Sequence, residues 1–218
     1  MVSTTEIGGE SWQTKPSDRF ILKWIKIHLS AGVTLKVLPW NWLDPWMITA
    51  FSAVLGTAAG VVFASGWAGF AGCIAAGSQV LDGVDGQLTR LKGRQTSVGA
   101  FWDSVLDRYS DGSMVMGLIV YLCRLPVALP SWLVLTLGAL ALIGSNLISY
   151  SSARAENLGL DLGQPTLASK GTRMTVMIAC AWGSSFWPPL PMLALIYLAG
   201  HTQLVVVHRL IRVHRQIR

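Results

Sequence analysis

Long apolar runs, interrupted by short polar or proline-containing breaks, predict helices that cross a membrane. The first run spans Trp46–Phe63, the second Trp67–Leu91 and the third Ser97–Cys123. The fourth covers Trp132–Ser152, the fifth Thr172–Trp187, and the last Leu190–Val207, which continues as a basic helix. Each can traverse a hydrocarbon core of roughly 30 Å, the fifth being the shortest. Their Gly, Ala and Ser content lets helices approach closely. Ahead of them, Asp18–Leu38 puts Lys23, Lys26, Ser30 and Thr34 on one helical face and Ile21, Ile25, Leu29 and Val33 on another. That pattern predicts an amphipathic helix lying on the membrane. Pro39 and Pro45 break the segment that follows. The expected architecture is all-α: six transmembrane helices preceded by an interfacial helix. Residues 1–17 form a polar arm and residues 18–218 a single membrane-embedded domain.

Composition agrees. Of 218 residues, 52% are hydrophobic and 13% charged, too apolar for an ordinary soluble domain. Cys73, Cys123 and Cys180 lie far apart in apolar runs, which fits neither zinc spacing nor a disulfide framework. The first twenty residues are polar and are not a cleavable signal peptide. Trp40, Trp42, Trp46, Trp67, Trp132 and Trp187 sit near span ends, as an interfacial aromatic belt requires.

The distribution of charge changes the meaning of the basic isoelectric point. With the N-terminus in the cytoplasm, the arm and first helix, the second-to-third connection, the fourth-to-fifth connection and the tail hold all of the 17 Lys and Arg residues except Arg124. This positive-inside pattern predicts a multi-pass protein of the cell membrane. It also directs the excess charge, including tail residues Arg209, Arg212, Arg215 and Arg218, to anionic head groups rather than nucleic acid.

Against that apolar background stand Asp82 and Asp85, three apart, and Asp103 and Asp107, four apart. Each pair projects from one helix face. Carboxylates at membrane depth are costly and normally line a wet, functional cavity. Four on adjacent helices suit one or two hard divalent cations, Mg²⁺ or alternatively Mn²⁺. Gly86 and Gly99 leave backbone open to a ligand, and Arg90 offers a forked phosphate donor. Asp111 continues the third-helix row and is left unassigned. The four histidines are scattered and pair with no carboxylate at ligand spacing.

Written with its gaps, the segment is D-x2-D-G-x2-T-R-x8-G-x3-D-x3-D. It resembles the signature of the CDP-alcohol phosphatidyltransferase family, in which Ala stands where this chain has Thr89; every gap matches. The resemblance implies a six-span membrane enzyme that moves a phospho-alcohol group from a CDP-alcohol to a hydroxyl, releasing CMP. It implies that Asp82, Asp85 and Asp103 are metal ligands. Asp107 would be the general base and touch the metal site as well. The CDP group would fall to Gly86, Arg90, Thr96 and Gly99. Thr49 joins them from DPWMIT, where the family's Pro-Asn-x-x-Thr/Ser keeps Pro45 and Thr49 but has Trp46 in place of Asn.

The fourth-to-fifth connection, SYSSARAENLGLDLGQPTLASKGTRM, resembles that of members handling inositol phosphate or CDP-inositol. On that resemblance Arg154, Lys170 and Arg173 are acceptor contacts, and the acceptor is inositol phosphate or a related polyol. A glycerol-phosphate or other acceptor within the same family is the alternative. Small-residue helix faces make a homodimer the expected partner state. A divalent-cation transporter would want polar groups through the whole membrane thickness, and Arg90 beside a cation path is counterproductive. A passive membrane scaffold leaves the cost of the aspartates unexplained.

Overall fold

The computed structural model describes residues 13–14, 20–126, 129–163 and 169–217. The expected 1–17 arm therefore lies outside the described residues, apart from Gln13 and Thr14, as do Asp18, Arg19 and Arg218. Helices α1 (Phe20–Ile25) and α2 (Ala31–Val37) are joined by a π-helical turn, Lys26–Ser30. Then come α3 (Pro45–Ala64), α4 (Ala68–Leu91), α5 (Ser97–Arg124), α6 (Ser131–Leu158), α7 (Lys170–Gly183) and α8 (Pro191–His214). There is no strand among the described residues.

Local chemistry explains most boundaries. Pro45 opens α3 and Pro191 opens α8, where a missing N–H costs nothing. Thr96 caps α5 by accepting the Gly99 N–H at 3.0 Å. Gly93, at φ +63°, supplies the left-handed residue that turns the chain from α4 toward α5. Helix α6 runs six residues beyond the expected Ser152 and stops at Gly159, whose left-handed conformation lets Leu160 donate back to Ala155. Next to it, the Gly163 N–H and then Arg212 hold the Asp161 carboxyl below the usual carboxylate range. The ionised group ties this connection to α8.

Three helices, α3, α6 and α8, are long and apolar enough to cross a membrane. Helices α4 and α5 have the length but carry the carboxylates. Helix α7 is a correction: it covers Lys170–Gly183, not Thr172–Trp187, because the chain turns at Ser184–Trp187 ahead of Pro188 and Pro189. At 1.5 Å per residue its 14 residues span about 21 Å.

The helices pack α3 on α4 and α5, α6 on α8, and α4 on α7. Phe63, Leu88, Met114, Leu118, Leu122, Met174, Leu195 and Leu198 are fully buried. In lipid, contact between small residues replaces the hydrophobic effect as the main source of association. A Cβ on Gly117 would collide with the Gly60 backbone, so α3 and α5 touch main chain to main chain. Trp40, Trp42, Trp46, Trp67, Trp132 and Trp187 are exposed, as a belt requires.

The N-terminal helix turns part of its expected polar face inward. Lys26, Ser30 and Thr34 are buried against α4, whereas Trp24, Leu29 and Leu35 are exposed. The reason lies in α4, whose facing side is itself polar. Ser30 Oγ donates to the Val80 carbonyl at 2.9 Å, and Thr34 Oγ1 donates to Gln87 Oε1 at 2.7 Å. Gln87 Nε2 donates to the carbonyls of Lys26 and Gln13. Lys23 of the same face stays exposed, and Val33 of the expected apolar face packs against Ile48, Val84 and Leu88.

Candidate active site

Continuous helix through Asp82, Asp85, Gly86 and Arg90 sets four candidate residues on the last turns of α4. The turn at Gly93 and the Thr96 cap then start α5, which brings Asp103 and Asp107 back beside them. Carboxylate oxygens of Asp82, Asp103 and Asp107 come within 4.8 Å of one another. Three carboxylate oxygens that close repel one another unless positive charge sits among them, and hard divalent cations take such oxygen ligands. Asp85 is 5% exposed, and its Oδ2 is buried without a hydrogen-bond partner. An orphaned buried carboxylate oxygen next to this cluster fits a divalent cation as a further ligand. The Thr49 hydroxyl faces Asp85 from α3 and also donates to the Pro45 carbonyl at 3.2 Å.

Cations of the acceptor set arrive from α7. Lys170 Nζ donates to Asp82 Oδ1 at 2.9 Å and to Asp107 Oδ1 at 2.6 Å. Arg173, 3% exposed, donates to Asp111 Oδ2 at 3.3 Å. Arg154 is not brought to this cluster; it is exposed near the end of α6.

The nucleotide set is dispersed around the same mouth. A Cβ on Gly86 would touch only the Arg90 guanidinium, 3.6 Å away, so this backbone is otherwise open. Arg90 reaches toward the Gln13 carbonyl. Thr96 and Gly99 are exposed and engaged with each other in the α5 cap, which gives Thr96 a structural task the sequence pattern did not suggest.

Two residues were missed. Asp111 was left unassigned, although it lies one turn beyond Asp107 on the same face, which was the available signal. Arg209 was given to lipid head groups with the rest of the tail. Instead its guanidinium donates to Ser151 Oγ at 2.7 Å and Ser152 Oγ at 2.9 Å on α6, within electrostatic range of Arg173. Positive-inside counting cannot separate a packed arginine from a solvated one. A niche between α5 and α6 with room for about one water is lined by Arg108, Asp111, Val115, Leu142, Ser145 and Asn146. Asp111 Oδ1 and Ser145 Oγ are buried there with no hydrogen-bond partner.

Known proteins resemble this chain in sequence and fold. The chain is 30% identical over 172 residues to archaetidylinositol phosphate synthase of Methanothermobacter thermautotrophicus, covering 78% of this chain and 83% of that protein. The crystal structure of Mycobacterium tuberculosis phosphatidylinositol phosphate synthase with CDP-DAG bound superposes with a TM-score of 0.74 at 26% identity. It covers 85% of this chain and 93% of that one. The same enzyme in complex with manganese and citrate matches with a TM-score of 0.74 at 25% identity, over 85% and 88% of the two chains. The sequence profile of CDP-alcohol phosphatidyltransferase matches residues 42–207, which takes in the carboxylate helices and the α7 cations alike. With both the spacing and the packing of its acids accounted for, this membrane enzyme belongs to the CDP-alcohol phosphatidyltransferase family.

Proposed function

We propose that the enzyme transfers the phosphatidyl-type group of a CDP-alcohol to a hydroxyl of inositol phosphate or a closely related phosphorylated polyol. The observation that carries this is the Asp82–Asp103–Asp107 cluster with Lys170 bonded to two of its members, and Arg173 paired with Asp111 one turn further along α5. The names of the relatives point the same way.

Asp82, Asp85, Asp103 and Asp107 would hold Mg²⁺ or Mn²⁺. Such ions, when bound, neutralise a pyrophosphate and ease the departure of CMP. The chain's own groups do the rest. Gly86 and Gly99 admit the nucleotide to the backbone, with Arg90, Thr96 and Thr49 as its polar contacts. Asp107 takes the proton from the acceptor hydroxyl. The hydroxyl oxygen bonds to the β-phosphorus as the bond from that phosphorus to the bridging oxygen breaks, and CMP leaves with the electron pair. Lys170 and Arg173 hold the acceptor phosphate, with Arg154 at the exposed edge. The same proposal includes six membrane spans, a lipid-facing N-terminal helix, a cytoplasm-facing site and a homodimer.

The test is CMP release by purified protein across a panel of CDP-alcohols and acceptors. CDP-diacylglycerol or an ether-lipid equivalent with inositol phosphate should give the highest kcat/KM. A preference for glycerol phosphate, with inositol phosphate inert, would overturn the acceptor assignment.

A further inference from the structure

Lys170 begins α7, and its sequence context assigns it to the acceptor. Its ammonium nevertheless lies between Asp82 on α4 and Asp107 on α5, at 2.9 and 2.6 Å. These are two of the three carboxylates whose oxygens form the cation-sized cluster. An ammonium donating to those oxygens stands in for the divalent cation. Both cannot occupy the same lone pairs, and each repels the other at contact distance. The clustered acids, for their part, need positive charge when no ion is bound. Lys170 is well suited to be a temporary supplier: it has a compact charge on a flexible four-carbon stem. It also sits at the first residue of α7, with Arg173 three positions along the same face.

We infer that Lys170 is a tethered, exchangeable counter-ion. It clamps Asp82 to Asp107 before the divalent cation enters, is displaced by that cation, and then turns to the acceptor phosphate beside Arg173. The clamp would also keep Asp107 from acting as a base in protein that lacks metal. This rests on the metal-dependent transferase assignment above. Lys170 is thus a positioning residue that links metal loading to acceptor capture.

Binding of Mn²⁺ alone to purified full-length protein, followed by the paramagnetic resonance signal of free Mn²⁺, separates the possibilities. Lys170→Met keeps the stem and removes the charge. It should bind Mn²⁺ roughly tenfold or more tightly than the wild type, because the competitor is gone. Asp103→Asn should lose Mn²⁺ binding. Unchanged or weaker binding by Lys170→Met, with the Asp103→Asn loss as expected, would overturn the counter-ion role and leave the metal site standing. No Mn²⁺ binding by any of the three proteins would overturn both. A second measurement needs no variant. Acetylation of Lys170 by acetic anhydride, located by mass spectrometry in the wild type, should rise severalfold on adding Mn²⁺. Equal or reduced labelling overturns the displacement.

Discussion

The Arg173 guanidinium meets Asp111 Oδ2 at 3.3 Å with only 4% of the arginine side chain and 17% of the aspartate side chain exposed. Deleting one member of such a pair strands the other charge inside the protein. Arg173→Leu or Asp111→Leu should each destabilise by about 3 kcal/mol. The double variant should recover much of that loss, because two apolar groups leave no orphan. Thermal midpoints of the detergent-solubilised proteins check this. Additive losses in the double variant would mean that the two side chains are not coupled.

Asp107→Asn should lower turnover by roughly two to four orders of magnitude, the usual contribution of a positioned base. Nucleotide binding should survive, since the base acts on the acceptor. Asp82→Asn and Asp103→Asn should lose metal and nucleotide together. The measurement is kcat beside the thermal shift produced by CMP with Mg²⁺. AMP should shift the midpoint much less than CMP, given that stabilisation follows affinity by linkage. Near wild-type kcat for Asp107→Asn at saturating substrate would remove it from the base role.

Gln87 is fully buried and joins Thr34, Lys26 and Gln13 to α4. Gln87→Leu removes the side-chain bonds that tie these three to α4 and should cost about 1–3 kcal/mol. The N-terminal helix should become the preferred site of limited proteolysis, which mass spectrometry of the fragments would reveal. Cleavage that is unchanged would place the anchor of this helix elsewhere, for instance at the Ser30–Val80 contact.

Arg154 and Arg209 now exchange expectations. Arg154 is exposed, so a phosphate contact there is screened, and Arg154→Ala should raise the acceptor KM by about tenfold or less with the donor KM unchanged. Arg209 is bonded to Ser151 and Ser152, so Arg209→Ala should loosen α8 from α6 and lower the thermal midpoint. Steady-state kinetics and thermal scans of both variants discriminate. No change in acceptor KM for Arg154→Ala removes it from the acceptor set.

These contrasts mark where the sequence was legible. Fixed gaps along two helices determine which residues share a face, so Asp82, Asp85, Asp103 and Asp107 were readable from spacing alone. The start of α3 was readable for a local reason, since Pro45 breaks the preceding segment and fits the first turn of a helix. Facing partners were not. Whether Lys26, Ser30 and Thr34 meet water or a helix depends on Gln87 and Val80, some fifty residues away in the chain. The closing of Lys170 onto Asp82 and Asp107 likewise depends on where α7 docks, which no periodicity encodes. Helix α7 was misplaced because hydropathy continues through Phe186 and Trp187 after the backbone has turned.

The proposed function rests on metal-dependent transfer, at the aspartate cluster, from a CDP-alcohol to a phosphorylated polyol. Purified protein stripped with EDTA, then titrated with Mg²⁺ or Mn²⁺ while CMP release is followed with CDP-diacylglycerol and inositol phosphate, tests it most directly. Release should be absent in the stripped protein, return with either ion, and require the acceptor. CMP release that persists in EDTA, or that proceeds at the same rate without inositol phosphate, would contradict it.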